Sequence, residues 1–163
     1  MFYIRDASIA DISLIQEITE KTWWPTYSPI ISDEQIRYMI DYIYSTDGLQ
    51  NVMTTGEQKF LVLYDNDAVG FASYGIRPNH SSVFKLHKLY VLPQTQGKGY
   101  GKALVEEVIA RVKSLGGTTL DLNVNRFNNA KKFYERLGFR VAYEEDVAIG
   151  PYWMNDYVMR LEL

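Results

Sequence analysis

The chain has 163 residues, 47% hydrophobic and 23% charged, enough apolar mass for one ordinary core and too much for a disordered chain. Seventeen Lys and Arg against twenty Asp and Glu leave a net charge of −3, the wrong sign for a phosphate-backbone binder, so no nucleic-acid partner is expected. With no cysteine and two histidines, His80 and His87, a disulfide framework, a thiolate nucleophile and a Cys/His zinc cluster are all excluded, and no metal is expected.

The opening residues lack the basic-then-apolar pattern of a signal peptide and the chain holds no run of ~18 apolar residues, so the protein is expected to be cytoplasmic, with no membrane partner. Tyr3-Ile4-Arg5 reads as a short strand. Ser8-Ile9-Ala10-Asp11 is an S-x-x-D helix start leading into Ile12, Ile15 and Ile18 at helical spacing. That helix is expected to end before Trp23, because Pro25 and Pro29 break the segment from Trp23 to Pro29. Ser32-Asp33-Glu34-Gln35 is a second capping box, before Ile36, Met39, Ile40 and Ile43. Lys59 to Tyr64 and Ala68 to Tyr74, joined by Asp65-Asn66-Asp67, read as a hairpin, and Val83 to Leu92 as a third strand ending at Pro93.

Leu104, Val105, Val108, Ile109, Val112 and Leu115 keep a 3.6-residue period from Gly101 to the stop at Gly116-Gly117. Thr119 to Val124 reads as a strand, Asn129 to Leu137 as a helix closed by Gly138, and Phe139 to Tyr143 and Trp153 to Leu163 as the last strands. Residues 83–124 thus form a βαβ unit with two parallel strands. The fold class is α/β (α+β), a single domain over residues 1–163. Its mixed sheet should have about six to seven strands with about four helices, antiparallel early and parallel at its centre.

Gln96-Gly97-Lys98-Gly99-Tyr100-Gly101-Lys102 lies between a strand and a helix, where glycines let backbone N–H groups converge on an anion and the helix N-terminus adds positive potential. A phosphate site is the physical reading; a mere change of chain direction is the alternative. It is no P-loop, since Gly97 stands one residue too close to Gly101-Lys102 and Ala103 replaces the hydroxyl. Nor is it a dinucleotide fingerprint, since its spacing is G-x-G-x-G and it lies past the middle of the chain.

The run Leu89-Tyr90-Val91-x-Pro93-x-x-Gln96-x-x-Gly99-x-Gly101 resembles the [QR]-x-x-G-x-[GA] acetyl-coenzyme A signature of the Gcn5-related N-acetyltransferases. Ala130-x-x-Phe133-Tyr134-Glu135-Arg136-x-Gly138-Phe139 resembles the same family's later A-x-x-F-Y-E-x-x-G-F block. The resemblance implies that amides of residues 96–102, with Gly97, Lys98, Tyr100 and Lys102 among them, hold the coenzyme's pyrophosphate. It implies that main-chain groups of Leu89 and Val91 pair with the pantetheine arm, where parallel central strands splay apart. Tyr134 would protonate the departing thiolate. Asn128 is carried over as the coenzyme-contacting Asn, with Asn129 open as the alternative because the turn is one residue shorter than the family's.

On the acceptor side the resemblance places Lys85 and His87 on the strand face of Leu89, by the i, i+2 rule. His87, with an ordinary pKa near ~6.5, is the candidate general base, directly or through water, against a packing role. Trp24, Tyr27, Trp153 and Asp156 would line the acceptor side, since aromatic faces with an acidic residue suit a cationic amine. The segments at 23–27 and 150–157 resemble the PaiA-type spermidine/spermine acetyltransferases. The implied activity is transfer of acetyl from acetyl-coenzyme A to a small-molecule amine, by direct attack, since no cysteine is available to carry the acetyl group. A peptide N-terminus as acceptor, a coenzyme A-binding sensor without turnover, and a homodimer are left open.

Overall fold

A computed structural model describes residues 1–163, and its seven strands form one sheet in the order β1-β2-β3-β4-β5-β7-β6. They are β1 (Tyr3–Asp6), β2 (Lys59–Asp65), β3 (Asp67–Ile76), β4 (Val83–Val91), β5 (Thr119–Asn125), β6 (Arg140–Ile149) and β7 (Tyr152–Glu162). β4 and β5 are the one parallel pair, as a strand–helix–strand crossover requires. Five α-helices complete the chain: α1 (Ile12–Tyr27), α2 (Asp33–Ile43), α3 (Thr46–Thr54), α4 (Tyr100–Ser114) and α5 (Ala130–Arg136).

Residues Phe60 to Leu63 and Val69 to Tyr74 are buried without alternation, because the sheet is covered on both faces. On one face Val62, Phe71 and Tyr90 stand in one cross-strand row. The Tyr90 and Phe71 rings meet Trp23 of α1 and Tyr44 after α2, with centroids 6.0 Å apart for Trp23–Tyr90 and 6.4 Å for Tyr44–Phe71. The neighbouring row Leu63, Gly70 and Val91 faces the other way, where Leu104 of α4 approaches the Gly70 backbone.

Several expected boundaries move. α1 does not stop before Trp23 but continues through Pro25 to Tyr27. The proline removes one helical hydrogen bond, to the Lys21 carbonyl, yet Trp23 and Tyr27 extend the buried stripe of Ile12, Ile15 and Ile18, and that packing outweighs the lost bond. Helix α3 was not expected; it buries only Leu49, so no apolar period announces it. β6 runs to Ile149, well past Tyr143, and takes the acidic run Glu144-Glu145-Asp146 into its pairing with β7. As an edge strand it needs no apolar alternation.

The Ser8 box closes on both sides over a single 3-10 turn that precedes α1. At α2 only half a box forms: Ser32 Oγ accepts from the Gln35 N–H at 3.2 Å, while the Gln35 side-chain amide donates to the Trp153 carbonyl at 2.8 Å and ties α2 to β7.

Candidate functional site

Two irregularities in β4 create the site. Its parallel pairing with β5 runs from Val83↔Thr119 to Leu86↔Leu122 and stops, although β4 continues to Val91 and β5 to Asn125. The strands therefore fork, leaving unpaired backbone edges on both arms. On its other side, one step of β3 from Ser73 to Tyr74 spans two steps of β4 from Lys88 to Leu86, so His87 is the extra residue of a β-bulge.

The bulge overturns the i, i+2 inference. Lys85, Lys88 and Tyr90 pair with Gly75, Ser73 and Phe71 and share one face, whereas Leu86, Leu89 and Val91 pair with Tyr74, Ala72 and Gly70 and share the other. Leu89 and Lys85 are on opposite faces.

A cleft of about 740 Å³ fills the fork. Its floor includes His87, Leu89 and Val91 of β4 and Asn123 and Val124 of β5, and the turn Gln96, Gly97, Gly99, Tyr100, Gly101 and Lys102 forms one end. Tyr27 of α1 and Asn128, Asn129 and Tyr134 at α5 complete it. Lys98, Trp24, Trp153 and Asp156 do not line it.

Gly97 and Gly99 have φ of +88° and +81°, in the left-handed region, and a Cβ on either would meet no atom within 4 Å, so the turn presents bare backbone. Gly99 is the N-cap of α4, whose first N–H groups have no helical partner. Gly101 serves differently from the expectation of three equivalent glycines: its φ is ordinary, and a Cβ there would press the Phe133 ring at 3.3 Å. It lets α4 and α5 approach. Tyr100 contributes backbone, since its hydroxyl donates to Asp65. Asn128 Oδ1 accepts from the Ala130 N–H at 2.9 Å, a turn bond just ahead of α5, whose N-cap is Asn129.

The phenols of Tyr27 and Tyr90 share a hydrogen bond at 3.0 Å, and burial pushes Tyr27 up to about 12. Tyr134 packs edge-on between Phe133 and Phe139, with centroids at 5.2 and 5.8 Å, and burial likewise raises its phenol, which stays protonated at neutral pH. His87 departs from expectation. Burial first, then the charges of Lys85, Lys88 and Arg77, push its imidazole down to about 3, so it is neutral under ordinary conditions and does not titrate near 6.5. Its Nε2 is buried with no partner.

The aromatic wall is smaller than expected because α1 stays helical. Trp23 and Tyr27, four residues apart, meet at a tilt of 46° with centroids 4.4 Å apart on the buried stripe, and Trp24 turns outward beneath the Arg37 guanidinium. Trp153 is 58% exposed. Asp156 is buried one layer behind the cleft, its carboxyl raised chiefly by that burial, and it accepts from Asn123 Nδ2 at 3.1 Å.

Two polar residues of β5 were not expected at the site: Asn123, and Asp121, which is fully buried and held by Arg160 at 2.7 and 2.9 Å and by Arg77 at 2.8 Å. Both alternate with Leu120, Leu122 and Val124, a polar period of two inside an apolar strand that could have marked them. No group of three His, Asp or Glu is placed to hold a metal, and no helix is long and apolar enough to cross a membrane.

A family model described as an acetyltransferase (GNAT) domain matches residues 27–161. The chain is 31% identical over 144 residues to the spermidine N(1)-acetyltransferase of Thermoplasma acidophilum, covering 85% of this chain and 88% of that protein. It is 29% identical over 157 residues to an uncharacterized N-acetyltransferase of Mycobacterium tuberculosis, covering 95% of this chain and 99% of that one. Among solved structures, that of the PaiA N-acetyltransferase from Thermoplasma acidophilum in complex with coenzyme A is similar at a TM-score of 0.85 and 29% identity, over 100% of this chain and 99% of that chain.

Proposed function

This chain belongs to the GNAT acetyltransferases, and from that premise we propose that residues 1–163 act as one domain that moves acetyl from acetyl-coenzyme A to a small primary amine, a polyamine foremost. The observation that carries the reading is the fork: two strands part after Leu86↔Leu122 and open into a cleft that runs to a left-handed glycine turn at the N-terminus of α4.

The residues present fit the coenzyme. Bare backbone at Gly97 and Gly99 and the free N–H groups of α4 suit a pyrophosphate. The unpaired β4 edge at Leu89 and Val91 suits the amides of a pantetheine arm, as an added strand would. Lys98 and Lys102 add positive charge at that end, and Asn128, fixed by its bond to the Ala130 N–H, stands beside it. When bound, the coenzyme supplies an acetyl thioester as the electrophile.

The chain's own residues do the rest. Tyr134 donates its phenol proton to the departing sulfur and regains one from the nitrogen that has attacked. His87, neutral and unpartnered at Nε2, orients the amine by accepting a hydrogen bond and does not store its proton. The amine therefore enters as the free base. Tyr27 walls the entrance, and Asp156, with Glu144 to Asp146 beyond it, lends negative potential that favours a chain of ammonium groups over a peptide. Trp24 and Trp153 have no part in it.

Competition between spermidine and a peptide N-terminus at equal concentration tests the acceptor. Spermidine should be acetylated faster, and added salt should narrow its lead. Peptides that win at every ionic strength would overturn the polyamine reading.

A further inference from the structure

Asn123 is the first residue of β5 beyond the last pair with β4, and it lines the cleft. Its amide is gripped from behind: Nδ2 donates to the Glu145 carboxylate at 2.9 Å and to the Asp156 carboxylate at 3.1 Å. These two acidic side chains come from adjacent residues in the β6–β7 ladder, where Glu145 pairs with Asp156. An ionised carboxylate only accepts, so the amide must turn its NH₂ toward the pair; the flipped amide would set oxygen against oxygen. That fixes the orientation of Oδ1, which is buried without a partner. An orphaned buried acceptor is costly, and a ligand N–H would relieve the cost. On the opposite arm of the fork His87 Nε2 is orphaned in the same way.

We propose that Asn123 recognises the nucleophile: Oδ1 accepts one N–H of the incoming amine, and Glu145 and Asp156 are positioning residues that lock the amide in its accepting orientation. This rests on the amine-acetyltransferase reading. A neutral primary amine carries two N–H groups and one lone pair. With one N–H on Asn123 and the other on His87, the lone pair is left for the thioester carbon. An alcohol brings a single O–H and fills only one of the two acceptors.

The test is steady-state kinetics with spermidine alongside direct binding of coenzyme A. Asn123→Leu keeps the side-chain volume and removes the acceptor, and kcat/KM for spermidine should fall by about 10- to 100-fold, the worth of one buried hydrogen bond. The Kd for coenzyme A should not move. Glu145→Gln, at a half-exposed position on the edge strand, removes one of the two carboxylates that hold Nδ2 and leaves Asp156 alone to fix the amide; it should raise KM for spermidine by about 3- to 10-fold. In the Asn123→Leu background the same change should add nothing, a coupling that a merely structural Glu145 would not show. An unchanged KM in Glu145→Gln, or an Asn123→Leu protein that binds coenzyme A and keeps its kcat/KM, overturns the inference while leaving the enzyme reading intact. A wild-type protein that binds coenzyme A and acetylates no amine overturns both.

Discussion

Tyr134 and His87 stand at the same cleft, and burial acts on them in opposite chemical directions. Burial keeps the phenol protonated and the imidazole unprotonated, because a low-dielectric site disfavours whichever form is charged. Tyr134→Phe preserves the packing against Phe133 and Phe139 and removes only the proton donor. Turnover should fall by about 10²-fold with coenzyme affinity unchanged, as stopped-assay kinetics and equilibrium binding would register. For His87 the prediction is a missing feature. With the imidazole pushed down to about 3, kcat/KM should climb with pH as the amine loses its proton, with no step near 6.5. A step there that disappears in His87→Gln would restore it as the base. Tyr134 was legible because its neighbours Phe133, Glu135, Gly138 and Phe139 form a contiguous pattern. The environment of His87 was not: Lys85 and Lys88 flank it in sequence, but the burial that lowers it most comes from the bulge and from elements packed over the strand.

Among the elements, the turn into α4 was the most readable, because glycine at alternate positions before a strong apolar period has few other uses. Its three glycines nonetheless divide into two with left-handed φ and one that makes room for Phe133. Gly99→Ala should therefore destabilise the protein by about 1 kcal/mol or more through strain at φ +81°. It should also shrink the rise in melting temperature that coenzyme A produces, as a thermal melt with and without ligand would measure. Gly101→Ala should act through the α4–α5 contact instead, displacing the Phe133 ring. The course of α1 past Pro25 escaped the sequence because tertiary packing of Trp23 and Tyr27 outweighs a local breaker. That miss propagated to the site: in the continued helix Trp23 and Tyr27, one turn apart, take the buried stripe, and Trp24 at its margin packs under Arg37 and not in the cleft.

At the scale of the whole molecule, Lys88 is a charge buried in the sheet whose cost depends on pH. Lys88 is 7% exposed, donates to Gln58 Oε1 at 2.7 Å and lies over the rings of Tyr44 and Phe60. The rings favour the ammonium, but burial outweighs them and lowers its pKa to about 7. Between about 7 and the ordinary value of 10.5 the unfolded chain holds a proton that the fold does not, so stability should rise with pH across that window. Below about 7 both states are charged and the fold bears the full cost, about 3–5 kcal/mol. Lys88→Met should therefore raise the melting temperature most at pH 6 and progressively less toward pH 10; a gain that grows with pH would contradict this. The mixed sheet and its parallel centre were readable from the order of elements, while the fork and its bulge are properties of register that no single strand encodes. The central claim is that this fork brings an acetyl thioester and a free amine together for direct transfer. The most direct measurement is paired quantification of free thiol and acetylated spermidine from acetyl-coenzyme A and the purified chain. The two products should accumulate in equal amounts and in proportion to enzyme. Thiol released without acetylated amine, or no turnover by a protein that binds coenzyme A, would contradict it.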